Sequence, residues 1–393
     1  MLKDLRADTR RTLCRACLTA ENAVFAATGG KGAKNLFAPR ADILFVGSDV
    51  RVLRETAGEF YIEKTSPEPF RIMATTDFHL ENKTELDYKT VRLFLKNLEE
   101  ERPDLVILTG DIFETKQPVL DAVQFAEMME KTGVYWCFVF GNHERGVDRD
   151  PEKLRLFRAI AHYPHCLSKT GPRDLFGVGN YAVNVMRGGK LVHTLYLLDS
   201  GKHALPKYNL LHGRPADAGG YDYIKKDQIA WFSLLCEKNR REYGTDANSV
   251  FMHIALPEYE TVFDIESLED RVFVPSGKAK VLYGAQYETV GCPVYNTGFF
   301  DVMKANGTKA VFVGHDHIND FCAEYEGVKL VYVQPGGYGT YHMGRVFGRP
   351  EKDWQVGVTR IDIADDGRAE ISQRLNARFL QNRTENEGLS QNV

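Results

Sequence analysis

The chain is 393 residues long, with 43% hydrophobic and 26% charged residues. That length buries a sizeable core, as one large α/β domain with an appendage or as two domains, and the balance excludes disorder as the main state. A net charge of −4 gives no electrostatic case for nucleic-acid binding, and no apolar run approaches the roughly 20 residues that span a bilayer.

The opening segment, MLKDLRADTRRTLCRACLTAEN, lacks the apolar stretch of a secretory signal, so a cytoplasmic protein is expected. Seven scattered cysteines fit free thiols in a reducing compartment. Leu5, Leu13, Cys17 and Val24 recur at near-helical spacing and predict an amphipathic helix over 3–27, ending at Gly29-Gly30. Residues 1–40 carry eight Lys/Arg against three Asp/Glu, which reads as a solvated helix face rather than a docking arm. Cys14 and Cys17 form a C-x-x-C without a second Cys or His pair, so half-buried helix cysteines are the better reading than zinc. Gly29-Gly30-Lys31-Gly32 lacks the full phosphate-loop pattern and reads as a turn. Strands over 42–46 and 50–54 predict a hairpin, and Ser66-Pro67-Glu68-Pro69 breaks the chain after it. Residues 1–65 are therefore expected to be an N-terminal extension, helix plus hairpin.

From residue 70 strands and helices alternate: strand 70–76, helix 85–100, strand 105–110, helix 118–131, strand 134–140, helix 151–162. This is the rhythm of a mostly parallel sheet covered by helices. Strands 178–186 and 191–198 flank Gly188-Gly189 as a hairpin. The stretch 200–222, rich in Gly, His and Tyr, reads as a candidate substrate lid. A helix over 224–242 and a strand over 249–254 follow, then an irregular section to about 295. Strands 310–314, 328–333, 356–363 and 368–374 complete a domain over 66–375. The remainder, 376–393, is a polar tail.

Five of the apolar strand-like runs end in residues that ligate metals. They stop at Asp77 and His79, at Asp111, at Asn142 and His143, at His253, and at His315 and His317. Five of the eleven histidines share this context. Alone, a Gly-Asp is more often a turn and a His at a strand end more often a core residue; the combination is hard to reach by chance. Asp77, His79, Asp111, Asn142, His253, His315 and His317 are too many ligands for one ion and suit two. Mixed nitrogen and oxygen donors without thiolate favour Mn, Fe or Zn. Glycines before Asp111, Asn142 and His315 are expected to let each ligand turn back over the sheet edge, where α/β sites form. His143 is the imidazole the metals do not require, free for acid catalysis or phosphate contact.

Asp77-x-His79, Gly110-Asp111, Gly141-Asn142-His143-Glu144, His253 and Gly314-His315-Asp316-His317 resemble, in order, the five blocks of the calcineurin-like metallophosphoesterase superfamily. FMHIALPEY, CPVYNTGFFDVM, FVGHDHINDFC and PGGYGTY resemble its small purple-acid-phosphatase-like branch. The resemblance implies a four-layer αββα sandwich of two mixed sheets. It implies that Asp77, His79 and His317 hold one of two divalent or trivalent ions, that Asn142, His253 and His315 hold the other, and that Asp111 bridges them. It further implies a metal-bridging hydroxide as nucleophile, with His143 protonating the leaving oxygen. The sequence departs from purple enzymes at Glu114, where they carry the tyrosine that colours the iron.

The expected activity is phosphomonoester hydrolysis, acting on a phosphorylated small molecule or phosphoprotein, with no membrane or nucleic-acid partner. The alternatives are a phosphodiesterase or nuclease, and a non-catalytic binding scaffold. Arg145, Tyr338, Tyr341 and His342 lie near the motif blocks as candidates for the phosphate pocket, with loop roles equally open.

Overall fold

The computed structural model describes residues 49–375, apart from 82, 83, 116, 145 and 147. The chain opens on the hairpin β1 (Val50–Glu55) and β2 (Glu59–Lys64). An alternation follows: β3 (Phe70–Thr75), α1 (Glu85–Glu101), β4 (Leu105–Leu108), α2 (Pro118–Thr132), β5 (Tyr135–Phe138) and α3 (Pro151–Ile160). Next come β6 (Tyr181–Arg187), β7 (Lys190–Leu197), α4 (Pro206–Leu211), α5 (Lys226–Tyr243) and β8 (Asn248–Phe251). A small hairpin, β9 (Phe263–Ser267) and β10 (Val272–Pro275), precedes β11 (Lys280–Tyr283), α6 (Phe299–Ala305), β12 (Thr308–Val313) and β13 (Cys322–Tyr325). β14 (Val328–Tyr332), α7 (Met343–Phe347), β15 (Gly357–Ile363) and β16 (Ala369–Leu375) finish it.

The local signals explain the boundaries. Thr84 and Asp87 form a reciprocal capping box at the start of α1. Pro118 opens α2, and Gly133 closes it at φ 69°, a left-handed conformation that costs glycine nothing. The parallel strands read as unbroken apolar runs because both their faces are covered.

Two sheets result. The larger has nine strands in the order β1-β2-β6-β7-β8-β12-β14-β13-β11, the smaller five in the order β16-β15-β3-β4-β5. Both mix parallel and antiparallel pairs. Alternation along β8 and β12 shows the layering. Phe251 and Phe312 stack at 4.5 Å and join the core shared with Ile72, Ala74 and Phe94. Their neighbours Val250 and Val311 join Phe232 of α5 and Phe299 of α6 in a second core. The fold is α/β, two sheets face to face with helices outside.

The predicted hairpin is described only in its second half. Its second strand, 50–54, is real; among the described residues it pairs with 59–64, and both strands lie within the nine-stranded sheet through the parallel pairing of β2 with β6. Phe60 and Ile62 are in the main core, and Lys64 makes a buried 2.7 Å ion pair with Asp104. So residues 50–64, read from sequence as part of an extension, are built into the sandwich. Residues 42–46, the 3–27 helix, the C-x-x-C, the glycine-rich turn and the 376–393 tail lie outside the described residues. The section to 295, read as irregular, contains β9, β10 and β11; α4, α6 and β13, each seven residues or fewer, also escaped the periodicity. No helix among the described residues is long and apolar enough to cross a membrane.

Candidate metal centre

All eight motif residues follow strand ends in two different sheets, and the fold brings those ends together. β3, β4 and β5 run parallel in the small sheet and deliver Asp77 with His79, Asp111, and Asn142 with His143. β8 and β12 run parallel in the large sheet and deliver His253, and His315 with His317. A bridge between Thr76 and Pro335 ties the two edges.

The turns that aim these side chains are strained. Asp77, His79, Asp111 and His315 have φ of 53°, 43°, 54° and 76°. Left-handed backbone is uncommon outside glycine, costs of order 1–3 kcal/mol per residue, and gathers at functional sites. Hydrogen bonds hold it: Asp77 N–H donates to Gly110 O at 3.0 Å, and His79 N–H to Asp111 O at 2.9 Å. His315 N–H donates to Asp77 Oδ2 at 2.9 Å. The glycines do a different job from the one expected. Gly110 does adopt φ 100°, but Gly141 and Gly314 are absent from the positive-φ residues. They are needed for room: a Cβ on Gly141 would lie 2.1 Å from Asp111 Oδ1, and one on Gly314 2.1 Å from Thr76 Oγ1.

Three overlapping sets of ligand atoms each fall within 4.8 Å: Asp77, His79 and His317; His79, Asp111 and His143; Asp111, His253 and His315. Asn142 Oδ1 is 3.0 Å from His253 Nε2. His79 Nδ1 donates to Glu114 Oε2 at 2.8 Å, and His253 Nδ1 donates to Thr109 O at 2.8 Å. The Nε2 of each neutral imidazole is then an acceptor. Yet His79 Nε2 faces Asp77 Oδ1 at 3.5 Å and Asp111 Oδ2 at 3.7 Å, and His253 Nε2 faces Asp111 Oδ2 at 3.1 Å. Those two carboxylate oxygens are buried and lack a directed hydrogen bond. Such a buried meeting of carboxylate oxygens and imidazole nitrogens is satisfied by a proton on each imidazole or by a metal ion between them.

The electrostatics agree. Burial opposes charge on Asp77, but His317 and His79 outweigh it and hold the carboxyl well below its usual range. Asp111 is lowered in the same way, burial being overcome by His253 and His79. His79, despite burial, is raised to about 10 by Asp77 and Glu114. His253 is raised to about 9, Asp111 outweighing burial. Burial and the neighbouring His253 push His315 down to about 3, which keeps it a neutral donor. A carboxylate field that draws protons onto imidazoles also favours bound cations.

His143 differs from the others. Its side chain is 46% exposed, its N–H donates to Asp111 Oδ1 at 2.7 Å, and its Nδ1 meets Glu114 Oε1 at 2.8 Å. No hydrogen bond engages its Nε2 among the described residues. The bond to Glu114 raises its pKa.

Several positioning groups were not assigned from sequence. Glu114, noted only as a missing tyrosine, forks between His79 and His143. Glu144, quoted within a motif but given no role, is a buried carboxylate that accepts from the N–H groups of Asp111, Ile112, Phe113 and Gly141 at 2.6–3.2 Å. Thr340 Oγ1 meets His317 Nδ1 at 2.8 Å. Tyr221 sets its ring edge-on to His315, centroids 4.5 Å apart; burial, then Asp316, Asp111 and Glu288, raise its pKa. Sequence periodicity carries no signal for such contacts.

The pocket candidates divide. Tyr341 stacks on His317 at 4.2 Å, with its hydroxyl donating to Glu288 Oε1 at 3.0 Å. Tyr338 is buried, with Lys89 Nζ 4.0 Å over its ring and its N–H on Thr90 of α1. His342 caps α7 through Gly344 N–H and lies 3.6 Å from the Trp354 ring centroid. Tyr338 and His342 are thus engaged in packing α1 and α7 rather than offered to the cluster. Arg145 lies outside the described residues.

Comparison with known proteins gives one family match: the model of the calcineurin-like phosphoesterases covers residues 70–319. Similar proteins include Probable inactive purple acid phosphatase 29 of Arabidopsis thaliana, 28% identical over 75% of this chain and 77% of that protein. Probable inactive purple acid phosphatase 14 of the same plant is 30% identical over 65% of this chain and 64% of its own length. Phosphatase DCR2 of Saccharomyces cerevisiae is 28% identical over 78% of this chain and 54% of its own.

Proposed function

Because the chain belongs to the calcineurin-like phosphoesterase family, we propose that it is a phosphoester hydrolase using two metal ions, with phosphomonoesters as substrates. The observation that carries this reading is the convergence of buried, unpartnered Asp77 Oδ1 and Asp111 Oδ2 on imidazole nitrogens. Asp77, His79 and His317 suit one ion, Asn142, His253 and His315 a second, and Asp111 can serve both. Mn, Fe or Zn fits this donor set. Bound ions of this kind neutralise phosphoryl oxygens and make water a stronger nucleophile.

The chain's own residues do the rest. Glu114 fixes the His79 tautomer, so that Nε2 faces the cluster. It also holds His143 by Nδ1, leaving Nε2 to pass a proton to the leaving oxygen. His143 lies within ligand reach of His79 and Asp111, so a ligand role competes with the acid role. Its exposure and the bond to Glu114 favour the acid.

The test is His143→Asn with metal analysis and kcat/KM on an alkyl and an aryl phosphate. An alkoxide leaves poorly without a proton, so the alkyl ester should lose roughly 10²–10⁴-fold and the aryl ester much less, at unchanged metal content. Equal losses would favour phosphate binding, and loss of metal would make His143 a ligand. The names of the plant relatives contain the word inactive, which makes a binding scaffold the second reading. Metal analysis of the wild-type protein with a phosphoester panel separates the two: a scaffold hydrolyses nothing when loaded with Mn, Fe or Zn.

A further inference from the structure

The stretch between β7 and α5 forms a closed loop beside the cluster. Its foot is a short antiparallel contact: His203 pairs with Tyr221, Ala204 N–H donates to Gly220 O at 3.1 Å, and Asp222 N–H donates to Lys202 O at 3.3 Å. Two buried ion pairs anchor it, Lys225 with Asp222 and, at 2.7 Å, Lys153 with Asp199. Lys225 Nζ also sits 3.9 Å over the Tyr223 ring. Within the loop, buried Asn209 gathers the carbonyls of Ala216 and Ala218, an Arg214 N–H and the Tyr223 hydroxyl. The loop foot is thus held in one arrangement before any ligand arrives.

That foot presents Tyr221. Its ring lies edge-on to the imidazole of His315, and Gly291 also packs on that imidazole, a Cβ there standing 2.5 Å from His315 Cδ2. The Tyr221 hydroxyl has no hydrogen-bond partner among the described residues. By contrast, the Tyr341 hydroxyl on the other flank of the His315–His317 turn is already given to Glu288.

We infer that Tyr221 is a substrate-contacting residue whose hydroxyl donates to a phosphoryl oxygen of an ester held at the cluster. This rests on the phosphoesterase reading and adds a residue to it. The loop foot supplies preorganisation: a donor fixed beforehand pays no ordering cost when charge builds on the phosphoryl group.

The test uses the full chain loaded with Mn or Zn, and Tyr221→Phe, which removes only the oxygen. Orthophosphate affinity is measured by calorimetry, kcat and KM on an alkyl and an aryl phosphate, and metal content on both proteins. A hydrogen bond to a charged acceptor is worth about 10- to 100-fold, so kcat/KM on both esters should fall by that factor at full metal content. Orthophosphate affinity should fall with it. Unchanged kcat/KM together with unchanged affinity overturns the inference. Loss of metal in the variant also overturns it, because the hydroxyl would then support the metal site rather than touch the substrate. If the wild type hydrolyses neither ester, the enzymatic reading fails, while the ratio of orthophosphate affinities still decides for or against Tyr221. A metal-loaded wild type that takes up no orthophosphate overturns both.

Discussion

Single side chains decide the cluster because each buried oxygen in it has one task. Asp111 Oδ1 accepts from His143 N–H, while Oδ2 is the unpartnered atom between His79 and His253. Asp111→Asn should therefore lower metal content and abolish hydrolysis while the fold survives, since the amide keeps an oxygen for His143 N–H; wild-type stoichiometry with wild-type turnover would refute the assignment. Glu144 is a sharper case. Four backbone N–H groups converge on its carboxylate, and in Glu144→Gln one oxygen becomes an NH₂ that opposes them. Leaving buried donors unmet costs about 1–3 kcal/mol, to be read from urea unfolding alongside weaker metal retention. Glu114 bears on colour. It stands where the tyrosinate of purple enzymes would be, and the Tyr341 hydroxyl is bonded elsewhere. The iron-loaded protein should lack a strong visible charge-transfer band; such a band would show a phenolate on the metal.

At the scale of elements, the two sheets are joined by groups that sequence patterning treats as ordinary strand residues. His193 of β7 is fully buried, with Nδ1 donating to Gly367 O, in the β15–β16 turn of the small sheet, at 2.8 Å, and Nε2 at 2.9 Å from Ser249 Oγ of β8. Burial pushes its pKa down to about 4, only partly offset by the Gly367 carbonyl. An unfolded histidine titrates near 6.5, so between pH 6.5 and 4 the unfolded chain binds the extra proton and stability rises with pH. The contribution is intact above about 6.5 and is lost as pH falls towards 4, by roughly 3 kcal/mol in all. Unfolding free energies followed across that window should show the loss in the wild type and a smaller one in His193→Gln. An identical pH profile in the two proteins would remove His193 from the account.

For the whole molecule, the cluster spans the edges of both sheets, so ions bound there staple the two halves of the sandwich. A ligand that binds only the folded state stabilises it by about 2.7 kcal/mol at a hundred times its Kd. Chelation should therefore lower the wild-type Tm and leave Asp111→Asn nearly unmoved. A chelator-insensitive wild type that still holds metal would mean that the ions sit elsewhere.

The sequence by itself determined the βαβ rhythm, the helices over 85–100 and 118–131 to within a residue at their ends, and the candidate ligands. Each rests on a local cause: apolar runs long enough to read, caps and glycines at their ends, and polar residues placed just past the strands. The pairing of 50–55 with 59–64 was not legible, since the parallel contact of β2 with β6 that holds 59–64 in the large sheet joins segments far apart in the chain. Nor were the roles of Glu114, Glu144 and Tyr221, or the packing of Tyr338 and His342. Most depend on groups far apart in the chain, 29 positions for the Glu114–His143 bond and 248 for the Tyr338 N–H on Thr90, meeting where two sheets end. Distances across sheets are set by closure of the sandwich, and no spacing along the chain encodes them.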